Sequence, residues 1–221
     1  MKVILSGGGT GGHIYPALTI ADQIKKLCPD ADISFVGTQQ GLEKDIIPRY
    51  GYPLKFIEVA GFRRSLSLDT LRSAAKLVAG LYDAYRIIKN ERPDLVIGTG
   101  GYVCGPIVFM AALHGIPCCI QEQNAMPGVT NKILSRYVRK VFLGYKEAGK
   151  YFHGKAELEY TGNPIRTEIL EHTREEALKE LGLDAAKKTI LVSGGSRGAR
   201  SINNAMLEAE LALSGRGDVQ V

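Results

Sequence analysis

Three glycine-rich segments constrain this chain most, because each lies between a short apolar run and a longer helical period. They are residues 6–13 (SGGGTGGH), 98–105 (GTGGYVCG) and 193–199 (SGGSRGA), the first, second and third glycine loops. Glycine tolerates a positive φ and lets backbone N–H groups face a ligand without an intervening side chain. A helix that begins after such a turn adds its positive dipole end, which suits phosphate or diphosphate. Turns that serve only packing are the alternative interpretation.

Along the rest of the chain, short apolar segments typical of strands alternate with longer segments that have helical periodicity. Fully apolar strands predict a parallel sheet covered on both faces, so the expected fold is α/β and doubly wound. The predicted strands span residues 2–5, 32–36, 54–58, 94–97, 117–120, 139–143, 157–160 and 188–192, with another starting at 218–221. The predicted helices span residues 14–27, 41–50, 68–90, 104–114, 128–136, 174–182 and 200–212.

Composition excludes several other classes of protein. The chain has 221 residues, of which 45% are hydrophobic and 23% charged, as in ordinary globular proteins. Residues 103–113, the longest weakly polar stretch, are too short to span a bilayer, and the apolar run at the start is too short for a signal peptide. The four cysteines form no CxxC pair, so we expect no disulfide framework and no zinc site, and a reducing cytosol fits best.

A break in the pattern divides the chain near residues 161–166 (TGNPIR). Pro164 forces Asn163 out of helical space and Gly162 relaxes the turn, which is typical of a linker or hinge. After it a new cycle begins with a helix, a strand, the third glycine loop and another helix. One such cycle cannot bury both faces of a sheet. We therefore predict one Rossmann-like domain over 1–162 and only the opening part of a second over 163–221.

Two common nucleotide-binding motifs are incomplete. Gly7, Gly9 and Gly12 match G-x-G-x-x-G, but no carboxylate follows the second predicted strand to hold a ribose, which weakens a dinucleotide-dependent oxidoreductase. No Gly-Lys-Ser/Thr follows any glycine loop, so a P-loop nucleotidase is not expected. The pair Asp30 and Asp32 precedes its strand, at the opposite edge of the sheet, and does not imply a metal.

One histidine and one polar segment are candidates for a chemical role at the carboxyl edge of the predicted sheet, where the glycine loops lie. His13 ends the first glycine loop at the start of a helix whose Pro16 suits the first turn. The helix N-terminus disfavours an imidazolium, so His13 is a candidate base or ligand contact, or else a simple cap. Residues 121–124 (QEQN) follow the fifth predicted strand, and amides with a carboxylate suit sugar hydroxyls, although a loop network is the plain alternative.

The net charge of +5 is distributed unevenly. Residues 62–90 carry six basic groups against Asp69 and Asp83, and residues 132–155 carry seven against Glu147 alone. Such patches attract phospholipid, phosphate-bearing ligands or nucleic acid, or they form a solvated surface. Apolar residues recur at helical spacing within 68–90, which predicts core packing, and their basic flank also suits an anionic leaflet.

Five linked segments resemble the MurG family of peptidoglycan glycosyltransferases. They are SGGGTGGHIYPALTIA, GTGGYVCGP, QEQNAMPGVTNK, GNPIR and GGSRGARSIN, in this order. The resemblance implies the GT-B architecture of two Rossmann-like domains. It also implies inverting transfer of N-acetylglucosamine from UDP-N-acetylglucosamine to undecaprenyl-diphospho-muramoylpentapeptide, at the cytoplasmic face of an anionic membrane, without a metal or other cofactor. Nucleic acid is not an expected partner.

The resemblance also assigns roles to individual residues. It implies catalytic roles for His13 and Glu122 and an acceptor contact for Tyr102. It implies donor-binding roles for Thr10, Gly11, Gly12, Asn124, Arg166 and Ser196. Arg197 departs from the family, which often has glutamine there, and adds a cation beside the third glycine loop.

The second domain of the family continues well beyond the 59 residues present here after position 162. The resemblance therefore leaves open a non-catalytic acceptor-binding fragment, or a related lipid glycosyltransferase with a different acceptor. A fragment that lacks most of the donor domain is expected to bind the donor poorly.

Overall fold

The computed structural model describes residues 1–59, 68–195 and 198–221. The chain forms two compact units, Met1–Ile165 (unit 1) and Arg166–Val221 (unit 2). The division falls three residues after the boundary expected from the sequence, which lay between 162 and 163.

Unit 1 is a seven-stranded sheet in which every paired strand is parallel. The strands are β1 (Lys2–Ser6), β2 (Asp32–Gly37), β3 (Leu54–Phe56), β4 (Leu95–Gly98), β5 (Cys118–Glu122), β6 (Lys140–Leu143) and β7 (Glu157–Tyr160). The helices are α1 (Gly11–Leu27), α2 (Glu43–Arg49), α3 (Leu68–Glu91), α4 (Gly101–Leu113) and α5 (Val129–Leu134), with a 3-10 turn at Lys146–Tyr151. None of the described helices is long and apolar enough to cross a membrane.

Alternating side chains of the strands build a separate core on each face of this sheet. Val3 and Leu5 of β1 point to one face, where they pack with Ile14 and Leu18 of α1. Ile4, between them, points to the other face and joins the cluster that α3, α4 and α5 cover. Both faces are therefore apolar, as a doubly wound sheet requires.

The strand order β3-β2-β1-β4-β5-β6-β7 reverses its direction of growth between β1 and β4. From β1 the chain proceeds outward to β2 and β3, whereas from β4 it proceeds to the other side through β5. Ligands of open α/β sheets bind at such a switch point, beyond the carboxyl ends of the strands. The first and second glycine loops follow these two strands, so the fold places both at the switch point.

Two helices begin earlier than the sequence indicated. Helix α1 begins at Gly11 rather than residue 14, and α4 at Gly101 rather than 104, because glycines that looked like loop form the first turns. Pro16 therefore lies in the second turn of α1, so its assignment to the first turn was wrong. Tyr102 is accordingly a helical residue, held by the first turn of α4.

Unit 2 contains a two-stranded parallel sheet and two α-helices. Its elements are a 3-10 turn at Thr167–Leu170, α6 (Arg174–Glu180), β8 (Lys188–Thr189), α7 (Arg200–Leu213) and β9 (Val219–Gln220). Strand β8 ends at Thr189 rather than at 192, because its partner β9 has only two residues and the last bond runs from Ile190 N to Gln220 O. No described residue of α7 is buried, which leaves its apolar side uncovered within unit 2.

Candidate active site

The first glycine loop is shaped by close contacts that only glycine permits. Gly9 has a φ of 83°, which glycine adopts without strain. A Cβ at Gly7 would lie 1.9 Å from Thr99 Oγ1, and the Thr99 hydroxyl donates to the His13 carbonyl oxygen at 2.7 Å. The loop is therefore fastened directly to the residue that follows β4.

The second glycine loop packs against the first. Gly100 and Gly101 have φ values of 101° and 78°. A Cβ at Gly101 would lie 2.5 Å from the Gly8 carbonyl oxygen, and a Cβ at Gly9 would lie 3.2 Å from the Tyr102 ring. Because a side chain at either position would separate the two backbones, the glycines hold both loops in contact.

This contact brings two helix N-termini to one corner of unit 1. The first two N–H groups of α1 belong to Gly11 and Gly12, and those of α4 to Gly101 and Tyr102. N–H groups in a first turn have no partner within their helix, and the helix dipole makes this end attractive to anions. The corner has the donors that a diphosphate requires.

The His13 ring lies between the two loops and is held on one side. Its Nδ1 is 3.0 Å from the Thr99 carbonyl oxygen and 3.0 Å from Gln123 Oε1. A Cβ at Gly100 would lie 2.9 Å from the same nitrogen, so glycine is needed there to admit the ring. The residue is half-buried, and both of these contacts are made by Nδ1, on one side of the ring.

Glu122, at the end of β5, is buried and surrounded by donors. Its carboxylate accepts bonds from Asn124 N and Nδ2 at 2.9 Å each, from Gly128 N at 3.1 Å and from Asn131 Nδ2 at 2.9 Å. These four bonds occupy both oxygens of a side chain that is 1% exposed. The geometry favours Glu122 as the residue that shapes the loop and presents Asn124, rather than as a group that exchanges protons with a substrate.

A second buried carboxylate, Glu43, supports the first glycine loop and was not predicted from the sequence. It is the first residue of α2 and is fully buried. Its Oε2 accepts from Gly9 N at 2.9 Å, and its Oε1 accepts from Thr38 N at 2.9 Å and from Thr38 Oγ1 at 2.7 Å. A Cβ at Gly8, Gly37 or Gly41 would lie within 2.7 Å of the Glu43 side chain. These glycines make room for the carboxylate, which holds Gly9 in its left-handed conformation.

Thiol chemistry is not supported near the site. Burial raises the pKa of Cys104 on α4 and of Cys118 on β5 to about 12. Both thiols therefore stay protonated near neutral pH and are poor nucleophiles. Within the described ranges, no group of three or more His, Cys, Asp or Glu side chains is arranged to hold a metal ion.

The residues expected at the site divide between the two units. Seven of them lie in unit 1, at the end of β5 or on the segments that follow β1, β4 and β5: Thr10, Gly11, Gly12, His13, Tyr102, Glu122 and Asn124. Arg166 is the first residue of unit 2. Ser196 and Arg197 lie outside the described residues, as do Arg63 and Arg64 of the basic segment.

Comparison with known proteins identifies the family. Residues 3–143 match the model of the glycosyltransferase family 28 N-terminal domain. The chain belongs to glycosyltransferase family 28. The matched residues include both glycine loops of unit 1, His13 and Glu122, so the corner described above lies within the family 28 domain.

Curated relatives extend the match beyond this domain. One from Thermoanaerobacter sp. (strain X514) is 55% identical over 208 residues, which cover 94% of this chain and 57% of the relative. One from Acetivibrio thermocellus is 54% identical and is covered over 56% of its length. Both are named UDP-N-acetylglucosamine--N-acetylmuramyl-(pentapeptide) pyrophosphoryl-undecaprenol N-acetylglucosamine transferase. The family 28 chain thus spans somewhat more than half the length of these relatives.

Solved structures agree with this assignment. MurG from Acinetobacter baumannii is 31% identical with a TM-score of 0.67, and the match covers 92% of this chain and 55% of that one. A UDP-GlcNAc 2-epimerase from Neisseria meningitidis has a TM-score of 0.63 at 14% identity, covering 96% and 63% of the two chains, which shows the fold alone. The resemblance to the MurG family and the expected fold class, a doubly wound α/β fold of the GT-B type, are confirmed.

Proposed function

We propose that this family 28 chain acts in a transferase that moves N-acetylglucosamine from UDP-N-acetylglucosamine to undecaprenyl-diphospho-muramoylpentapeptide during peptidoglycan synthesis. The observation that carries the proposal is the corner where two glycine loops meet around His13, in a chain 55% identical to a transferase of that name. Nucleotide sugar and lipid acceptor both carry a diphosphate, which is the group that the corner is built to bind.

His13 is proposed as the general base of the transfer. The acceptor hydroxyl oxygen forms a bond to the anomeric carbon while the bond from that carbon to the UDP oxygen breaks, with inversion. The hydroxyl proton passes to His13 Nε2, and UDP leaves with the bonding electron pair. A base in hydrogen-bond reach of the hydroxyl contributes about 10²–10⁴-fold to the rate.

The glycine loops and helix N-termini are proposed to stabilise diphosphate charge. Backbone N–H groups held in place by Glu43 and by the contact between Gly8 and Gly101 need not reorganise as charge develops. Thr10, Gly11, Gly12 and Asn124 are proposed to contact the donor. Arg166 and Ser196 would add donor contacts from 163–221, the proposed start of the donor domain, whereas Tyr102 would contact the acceptor within 1–162.

A transfer assay tests the proposal directly. Purified protein is incubated with radiolabelled UDP-N-acetylglucosamine and the lipid-linked acceptor, and label in the lipid fraction is counted. We expect acceptor-dependent label and release of UDP. If the chain binds the acceptor but calorimetry with UDP-N-acetylglucosamine detects no heat and no label is transferred, the chain is a binding fragment and the transferase proposal is wrong for it.

An exposed apolar surface on unit 1 is proposed to face the anionic cytoplasmic leaflet of the membrane. Val78, Tyr82, Arg86 and Lys89 of α3 follow helical spacing along one face, and Val78 and Tyr82 are 67% and 61% exposed. Part of the apolar stripe expected to pack in the core therefore faces solvent. Tyrosine beside basic side chains suits the boundary between water and lipid.

A neighbouring apolar cavity extends this surface. It has a volume of about 400 Å³ and lies between α3, α4 and α5. Leu77, Leu81, Phe109, Val129 and Ile133 are among its lining residues. Val129 and Ile133 are themselves 63% and 54% exposed, so the apolar lining continues onto the surface. Such a surface suits peripheral attachment close to a lipid-linked substrate.

Vesicle sedimentation tests this attachment. We expect the protein to bind vesicles that contain anionic lipid more tightly than neutral vesicles, because Arg86 and Lys89 each add roughly 1 kcal/mol near such a surface. The double substitution Arg86→Glu with Lys89→Glu is expected to reduce binding strongly. The exposed Lys25→Glu on α1, which packs on the opposite face of the sheet, is the control. Equal binding to neutral and anionic vesicles would contradict the proposal.

A further inference from the structure

The hydrogen bonds of His13 specify where its ring carries a proton. Nδ1 faces two oxygens, the Thr99 carbonyl and Gln123 Oε1, both at 3.0 Å. A carbonyl oxygen only accepts, so Nδ1 must be the donor. A neutral ring with its proton on Nε2 would instead direct the Nδ1 lone pair at both oxygens. The surroundings therefore favour Nδ1–H and leave the lone pair on Nε2.

The Gln123 amide is oriented by its own neighbours. Its Nε2 donates to the Thr99 carbonyl oxygen at 2.7 Å and to the Gln121 carbonyl oxygen at 3.2 Å, and also contacts Gln121 Oε1. Since all three neighbours of Nε2 are acceptors, a rotated amide would place its oxygen against them. Gln123 Oε1 is thus directed at His13 Nδ1.

Gln121 and Asn163 bond to each other and to Gln123. We call these three residues the amide network. Gln121 Nε2 donates to Asn163 Oδ1 at 3.2 Å, and Asn163 Nδ2 donates to the Gln123 carbonyl oxygen at 3.2 Å. The Gln121 side chain is 1% exposed, and a Cβ at Gly144 would lie 2.1 Å from Asn163 Oδ1. The burial of Gln121 and the close packing of Asn163 against Gly144 therefore hold the network that orients Gln123.

We propose that Gln123 is a positioning residue for His13, which holds the neutral ring with its proton on Nδ1 and its lone pair on Nε2 toward the acceptor hydroxyl. The inference rests on the proposed function, in which His13 is the base. It adds a residue to which the resemblance gave no role. Gln123 acts through His13 and does not itself touch the reacting atoms.

Substitution with glutamate tests this role because it changes the charge with little change in shape, although a carboxylate oxygen then replaces Nε2 opposite the Thr99 and Gln121 oxygens. In Gln123→Glu a carboxylate replaces the amide beside Nδ1–H. The elements around this corner also carry other ionisable side chains, among them Tyr15 on α1, Tyr102 and Cys104 on α4, Cys119 and Glu122 on β5, and Glu43 on α2. All of these are present in both proteins, so a difference in titration arises from the change at position 123. The control is Gln40→Glu, the same change at an exposed position after β2.

The ring is followed by long-range ¹H–¹⁵N NMR, with the His13 signals assigned by their loss in His13→Gln. We expect the wild-type ring in its neutral form to be protonated on Nδ1. In Gln123→Glu the titration midpoint of the ring should rise by about one pH unit, because a nearby anion stabilises the imidazolium. Gln40→Glu should leave the midpoint unchanged.

The kinetic readout is the pH profile of kcat/KM. The neutral ring is the active form, so a higher midpoint in Gln123→Glu should move the acidic limb of the profile to higher pH by the same amount. Gln123→Met, which keeps the length of the side chain and removes its amide, should lower kcat about tenfold with the donor KM unchanged, as the loss of an orienting partner does for metal-bound histidines.

The outcomes of these measurements distinguish a failure of the role of Gln123 from a failure of the proposed transferase function. A wild-type ring protonated on Nε2 overturns the role of Gln123 whether or not the protein is active. So does an unchanged midpoint in a Gln123→Glu protein whose neutral ring still carries its proton on Nδ1. If the midpoint rises but the pH profile does not move, Gln123 orients a ring that the reaction does not use, and its role is again overturned. If the wild-type protein transfers no sugar, the proposed function fails, and the ring titration alone decides the position of the proton.

Discussion

Replacing His13 with alanine is expected to lower kcat for sugar transfer by about 10²–10⁴-fold, the contribution of a well-placed general base. The affinity for UDP-N-acetylglucosamine should remain near that of wild type, because the N–H groups proposed to hold the diphosphate belong to the backbone. The two effects are separated by steady-state kinetics with varied acceptor and by calorimetry with the donor alone.

His153→Ala is the matched control for this substitution. His153 is exposed and follows the 3-10 turn at Lys146–Tyr151, away from the glycine loops in the chain, so its loss should leave kcat unchanged. If His13→Ala retained transfer within about twofold of wild type, His13 would not be the base. A large loss of donor affinity would instead assign the ring to binding.

Replacing Glu122 with alanine is expected to reduce the free energy of unfolding by about 1–3 kcal/mol, the cost of one buried donor that loses its acceptor. The substitution removes the carboxylate from donors of Asn124 and Gly128, which are exposed residues that can bond to water, and from Asn131 Nδ2, which keeps only its bond to the Gln121 carbonyl oxygen at 3.3 Å. Asn131 is itself only 2% exposed, so water cannot easily replace the carboxylate at that donor. Urea denaturation followed by circular dichroism measures the loss.

Two further variants serve as comparisons for the stability loss of Glu122→Ala. Glu147→Ala removes an exposed carboxylate in the same unit and should change stability by less than about 0.5 kcal/mol. Glu122→Gln keeps one acceptor oxygen and should lie between the two. A Glu122→Ala protein as stable as wild type would show that the four bonds of Glu122 do not hold the loop together. It would also restore a direct catalytic role for Glu122 as an interpretation.

The strand and helix order could be predicted from the sequence because local patterns encode it. The apolar run of Leu95–Gly98 and the alternation of helical periods indicate a sheet covered on both faces, and glycine clusters mark the turns at its edge. The starts of α1 and α4 were missed by three residues each. Glycine has a low helix propensity, so Gly11 and Gly101 looked like loop, whereas contacts between the two loops select the helical turn.

The supporting residues of the site were harder to predict because their partners are distant in sequence. Glu43 bonds to Gly9, which lies 34 positions earlier, and His13 meets Gln123 across 110 positions. A carboxylate at the start of a short helix is ordinarily attributed to the helix dipole. The available signal for Glu43 was indirect: Gly37 and Gly41 lie on either side of Thr38, and close glycines leave space for a buried group.

Glu122 illustrates how a residue type alone leaves two kinds of role open. A carboxylate at the carboxyl edge of a parallel sheet suggests catalysis. The number of hydrogen-bond donors around the carboxylate decides whether it acts on a substrate or holds its own loop. That number depends on the folded backbone of residues 122–131. The four donors around Glu122 favour the second role.

The most direct measurement of the central claim, that backbone N–H groups of the two glycine loops bind diphosphate, is an amide titration. Uniformly ¹⁵N-labelled protein is titrated with inorganic pyrophosphate, and the Gly11, Gly12 and Gly101 resonances are followed at constant ionic strength. We predict saturable shifts centred on these amides, with the same affinity at each. Pyrophosphate that shifts other amides but leaves these three unmoved would contradict the claim.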